Sequence, residues 1–318
     1  MPTLLWFRRD LRLHDLPSLL DAAEADGEVL ACYVLDPRLK ASSGPRRLQY
    51  LYDALRELRN ALDGRLMVTR GQPEKRIPAL ANAIGATAVH ISADFSPFGR
   101  RRDDAVRGAL GDLPLEESGS PYLVSPGRVV KGDGEPYKVF TPFFDAWRRH
   151  GWRAPAKSGP RSARWIDPRD IKGGVDIPDA GVELELPAGE RAANRQWKKF
   201  VANGLADYAD ARNRPDLPAT SRMSAHLKFG TIHPRTMAQD LGRGTGAQTY
   251  LRELAFRDFY AAVLLEWPDS AWWNWNKSFD SMQVDGGAEA KKAFEAWTAG
   301  RTGFPIVDAG MRQLAETG

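Results

Sequence analysis

A single cysteine, Cys32, stands in a chain of 318 residues, so an internal disulfide is excluded and a reducing compartment fits. No apolar run approaches the length of a membrane span. The opening MPTLLWFRRDLRLHD turns to charge after Phe7, which argues against a signal peptide. The expectation is a cytoplasmic protein with no membrane partner. Five scattered histidines give no metal-ligand spacing. The G-x-G-x-x-G turn that cradles a dinucleotide is missing after the first strand-like run, which disfavours a nicotinamide dehydrogenase. A protein using only its first half to bind an adenine nucleotide would also want a phosphate-binding glycine loop. No Ser-His-Asp or Cys-His set, internal repeat or low-complexity tract is evident.

Hydrophobic residues make up 42% of the chain, a globular composition, and the length suits two domains. Lys and Arg number 45 against 41 acids, a net charge of only +4. The imbalance is local. Residues 190–260 hold 12 basic and 7 acidic side chains, which fits a phosphate-bearing partner, although a solvated helical surface would read the same way.

Short β-rich runs at residues 3–7, 29–35, 66–69 and 88–92 alternate with helical stretches at 16–25, 46–62, 74–84 and 100–110. This alternation predicts an α/β fold with a doubly wound parallel sheet over residues 1–130. Residues 131–189 read as an interdomain linker; six glycines and five prolines fall between 151 and 189. From 190 to 318 the patterns are all helical.

The stretch YLRELAFRDFY, 250–260, has an unusual layout. Leu251, Leu254, Ala255, Phe259 and Ala262 form one apolar face, while Glu253, Phe256, Arg257 and Tyr260 share the opposite one. A helix already supplied with a core face thus carries an acid between two rings beside a cation.

Five stretches in order resemble the photolyase/cryptochrome flavoprotein family, most of all its bacterial class I members: LLWFRRDLRLHD, YKVFTPFFDAW, ATSRMSAHLKFGTIHPR, RELAFRDFY and GRTGFPIVDAGMRQLAETG. The resemblance implies an N-terminal antenna domain and a helical domain holding FAD. It implies repair of cyclobutane pyrimidine dimers in damaged DNA by electron transfer from reduced FAD, in a monomer when complete. The alternative is a cryptochrome-like light receptor without repair. The family's helical domain continues beyond the point matching Gly318. A truncated chain is therefore expected, with a fragile helical half and little bound FAD.

The resemblance also assigns residues. Glu253 and Phe256 match catalytic contacts to the flipped dimer, with Phe256 standing where many relatives have tryptophan. Arg212, Arg257 and Tyr260 complete the DNA-binding set. Tyr208, Thr220, Ser221, Arg222, Met223, Ser224 and Tyr250 match the FAD-binding set; without the resemblance, the hydroxyls before a helix read as N-caps. Asp36, Arg47 and Asp94 match an antenna site for 8-hydroxy-5-deazaflavin rather than methenyltetrahydrofolate. The family's surface relay tryptophan has no counterpart near 284–287, and Trp272, Trp273 and Trp275 are expected to be packing residues.

Overall fold

The computed structural model describes residues 1–24 and 27–318, so Ala25, the expected end of the first helix, lies outside it. Five parallel strands, β1 (Thr3–Phe7), β2 (Glu28–Leu35), β3 (Leu66–Arg70), β4 (Val89–Ile91) and β5 (Leu115–Glu117), lie in the order β3-β2-β1-β4-β5. β1 is buried along its whole length, as a central parallel strand must be. Its alternate residues serve two cores: Leu5 and Phe7 face one, Leu4 and Trp6 the other. β5 escapes the sequence pattern because it is a short edge strand whose Glu116 and Glu117 are exposed.

Helices α1 (Pro17–Ala23), α2 (Pro37–Ala41), α3 (Pro45–Ala61), α4 (Pro73–Ala83) and α5 (Pro97–Leu110) wind around the sheet. Each opens on proline, whose missing N–H costs nothing in a first turn. The helix starts expected at 46, 74 and 100 therefore fall one to three residues late. α2 is too short to show a period; Asp36 caps it by accepting from Arg38 N at 2.9 Å.

Residues 131–189 contain a helix and a strand besides two single-turn helical segments. α6 (Phe140–His150) buries Phe143, Phe144 and Trp147, and β6 (Arg164–Trp165) pairs with the start of β2. The helical part follows as α7 (Glu190–Asn203), α8 (Tyr208–Ala211), α9 (Ser224–Phe229), α10 (Pro234–Asp240), α11 (Thr245–Glu266), α12 (Gly287–Thr298) and α13 (Pro305–Thr317). None of the described helices is long and apolar enough to cross a membrane.

Two devices join the α/β and helical parts. Gly230, at φ 65°, ends α9 against the backbone of Arg9, where any Cβ would collide with the Arg9 carbonyl. Next to it lies a buried polar knot. Arg235 Nη2 and Ala156 N reach Asp15 at 2.9 and 2.8 Å. His233 Nε2–H donates to Ser120 O at 2.8 Å while its Nδ1 accepts from Arg235 N at 3.0 Å. Burial alone would raise the Asp15 carboxyl, but the Arg235 and Arg12 guanidiniums outweigh it and hold the group well below its usual range.

The end of the chain is packed differently. Among residues 268–318 only Gly300 and Asp308 are buried. Trp272 is 85% exposed and Trp273 69%, so neither is the packing residue expected; Trp275 does stack on Trp267, centroids 4.7 Å apart.

Candidate functional site

Three groups of residues stand out, and α9 and α11 connect them. The first surrounds a cavity of about 540 Å³ at the carboxyl ends of β1, β2, β3 and β4. That is where the strand order reverses, the usual binding crevice of a doubly wound sheet. Asp36, Arg47 and Asp94, far apart in sequence, all line it. Asp36 is also committed to Arg38 at 2.7 Å, and Asp94 to Arg102 at 3.3 Å. Arg47 has no carboxylate partner among the described residues. The wall is strongly cationic: Arg8, Arg9, Arg70, Arg102 and Lys228 join Arg47 there. Desolvation, then Arg9 and Arg47, push the Lys228 ammonium below its ordinary range. Lys228 and Phe229 come from α9, so the helical part closes one side of this cavity. Sequence reading missed both, although they stand in a motif it singled out.

The second group lies where α7, α8 and α11 meet. Tyr250 packs among Trp197, Phe200 and Tyr208, with ring centroids 5.1 to 5.3 Å away. Its hydroxyl is 2.8 Å from Ser221 Oγ. Met223 is buried beneath, and Arg222 adopts φ 54°, an uncommon conformation for a side-chain-bearing residue. Met223 is the N-cap of α9 and makes no side-chain cap bond, so none of the hydroxyls at 220, 221 and 224 caps this helix. Thr220 and Ser224 are exposed, with no side-chain hydrogen bond among the described residues. Their hydroxyls are thus available to an outside acceptor such as a phosphate.

The third group is the outer side of α11. Glu253 forms an ion pair with Arg212, both side chains about one-third exposed at 34% and 33%. Burial therefore does not keep the Glu253 carboxyl out of water. Phe256 lies face to face with Phe140, centroids 3.5 Å apart and 8° from parallel. Tyr260, 62% exposed, extends the stack at 6.2 Å. Arg257 departs from the sequence expectation. It turns inward, donating to Pro121 O at 2.6 Å and lying over the Tyr122 ring. With its guanidinium bonded to that carbonyl, the structure places it at the junction rather than on the outer face.

Asp258 departs from the apolar-face pattern of α11. It is fully buried and accepts from Val124 N at 2.7 Å and Trp147 Nε1 at 3.0 Å, and burial pushes its carboxyl up to about 6. Leu251 and Ala262 are only half-buried. α11 is two-sided as expected, with a polar anchor inside its core face.

The fold and these groups define a two-part protein: an α/β half with a cation-lined crevice, and a helical part presenting an aromatic, charged outer face. The chain belongs to the photolyase/cryptochrome family. Residues 3–161 match the DNA photolyase model, and residues 250–318 match the FAD binding domain of DNA photolyase. A deoxyribodipyrimidine photo-lyase of Thermus thermophilus is 36% identical over 100% of this chain and 72% of its own length. A bacterial class III photolyase from Agrobacterium tumefaciens superposes with a TM-score of 0.86 at 29% identity, covering all of this chain and 69% of that one. An archaeal photolyase from Sulfolobus tokodaii, solved with two FAD molecules, gives 0.83 at 26% identity, covering 100% and 71%.

Proposed function

We propose that this chain is a light-dependent DNA-repair enzyme that splits cyclobutane pyrimidine dimers. The observation that carries the reading is α11 itself: Tyr250 belongs to the inner group bonded to Ser221, while Glu253, Phe256 and Tyr260 stand on the outer side of the same helix. One rigid element thereby links a cofactor wall to a base-reading face. Names carried by relatives, including the photo-lyase of Thermus thermophilus, support the same activity.

The residues fit FAD by the chemistry of their donors. The unpartnered Thr220 and Ser224 hydroxyls can bond its phosphates and ribityl chain, with Ser221, Arg222 and Met223 shaping the loop and Tyr208 and Tyr250 forming the wall. Bound reduced FAD would supply, on excitation, the electron that opens the cyclobutane ring. The protein's part is positioning. A flipped dimer needs a flat apolar surface and hydrogen bonds on its pairing edges. Phe256 and Tyr260 provide the surface, and the Glu253 carboxylate accepts base N–H groups when it exchanges its Arg212 partner for the substrate. Arg212 is then free for a nearby phosphate.

The antenna reading belongs to residues 1–130, whose cavity we assign to a deazaflavin in preference to a folate. Asp36, Arg47 and Asp94 in its lining support it. The helical residues 190–318 carry the FAD and DNA contacts, and residues 131–189 connect the two. A light receptor without repair is the competing reading. Affinity for a dimer-bearing oligonucleotide tests the choice: equal binding to damaged and undamaged duplex favours the receptor.

A further inference from the structure

Arg212, which closes α8, and Arg257 of α11 are the two cations expected to contact DNA, yet both are engaged within the protein, with Glu253 and with Pro121 O. Other cations on this side are not. Arg252, on α11, lies over Phe144 and Phe140, its guanidinium carbon 4.8 and 5.3 Å from their ring centroids. Arg148, on α6, lies over the same Phe144 ring at 5.8 Å. Both arginines are exposed, and neither has a carboxylate partner among the described residues. Asp145 is the one acid of α6 and is bridged to neither.

The rings beneath them are continuous with the substrate face. Phe144 stacks on Phe140 with centroids 5.6 Å apart, and Phe140 stacks on Phe256. A guanidinium resting on an aromatic face is oriented without being neutralised, and its N–H edges stay open to an acceptor. Each strand of duplex DNA presents one phosphate charge per about 3.4 Å of the helix axis, dense enough for two cations sharing one ring to engage one strand.

We propose that Arg148 and Arg252 are the backbone clamp of this face. They bind phosphates of the DNA strand beside the flipped-out base, and the Phe144–Phe140–Phe256 stack fixes the clamp relative to the base. The inference rests on the repair reading for its partner. It adds α6 to the DNA-binding surface.

The test is fluorescence anisotropy of the 318-residue chain with dimer-bearing and undamaged duplexes between 50 and 200 mM salt. The variants are Arg148→Gln, Arg252→Gln and the corresponding lysine substitutions. Each glutamine variant should flatten the slope of log K against log salt by about 0.9 for one lost phosphate contact. Over this interval that removes about 3.5-fold of the salt-dependent change, equally for both duplexes. Each lysine variant should restore the slope, which a purely structural role would not do. Glutamine variants with the original slope and unchanged circular dichroism overturn the clamp. If the unsubstituted chain binds duplex with no preference for dimers, the repair reading fails while the slopes still decide the clamp. If it shows no salt-dependent binding at all, the clamp fails too.

Discussion

Phe140 and Phe256 stack at 3.5 Å, although one opens α6 and the other lies midway along α11. One face of Phe256 is thereby filled by protein, and the ring is only half-buried, so a base can stack on the part that stays exposed. Base–aromatic stacking contributes about 1–3 kcal/mol per base. Phe256→Ala should therefore weaken binding to dimer-bearing DNA by that amount and leave undamaged duplex almost unaffected. Equal losses on both, measured in parallel titrations, would remove the stacking role.

The Glu253–Arg212 pair is one-third exposed, so its contribution to folding is small, about 0.2–1 kcal/mol. Glu253→Gln should shift the denaturation midpoint little. It should lower the number of dimers split per absorbed photon several-fold, because the carboxylate proposed to read the bases is gone. A variant with unchanged photon yield would leave Glu253 as a surface ion pair.

Acid should weaken the junction before it touches most carboxylates. Burial holds His233 down at about 3 and His226 at about 4, against an ordinary value of 6.5. Both imidazoles stay neutral in the fold while the unfolded chain takes up protons. Stability from them is lost as pH falls below 6.5. Asp258, raised to about 6, acts in the opposite sense between roughly 4 and 6. His90 is lowered by burial as well, so the imidazoles outnumber the one carboxyl and stability falls on balance as pH drops through that range. Denaturant titrations at pH 7, 6 and 5 read this directly; midpoints that hold or rise as pH falls would contradict it.

The parallel sheet was legible because its strands are continuous apolar runs separated by helical periods, as at Thr3–Phe7 and Glu28–Leu35. Asp36, Arg47 and Asp94 were singled out only through family resemblance, and the fold brings them to one cavity. α6 lies inside a stretch whose glycines and prolines read as linker, although Phe140, Phe143, Phe144 and Trp147 have helical spacing. Phe140 as partner to Phe256, and Arg257 as an inward-facing cation, depend on tertiary contacts that no local pattern encodes. Asp258 was hidden for the same reason, since its donors come from Val124 and Trp147.

Residues 268–318 bury almost no side chains, so they should open at far lower free energy than the sheet. Hydrogen exchange should label the amides of α12 and α13 well before those of β1 and β2. Protection equal to that of β1 would mean that this region folds as one unit with the sheet.

Arg47, unpartnered on the cavity wall, should contribute about 1.5–3 kcal/mol to an antenna ligand through a charge-assisted hydrogen bond. Arg47→Ala should lower deazaflavin uptake accordingly, seen as lost violet–blue absorption and lost excitation transfer. Exclusive uptake of a folate from a mixture would contradict the assignment.

The most direct measurement is the count of cyclobutane dimers left in an oligonucleotide after incubation with the chain at saturating reduced FAD, in blue light and in the dark. The account predicts loss of dimers in the light alone, reduced in Glu253→Gln and Phe256→Ala. Equal dimer counts in light and dark, with FAD demonstrably bound, would contradict it.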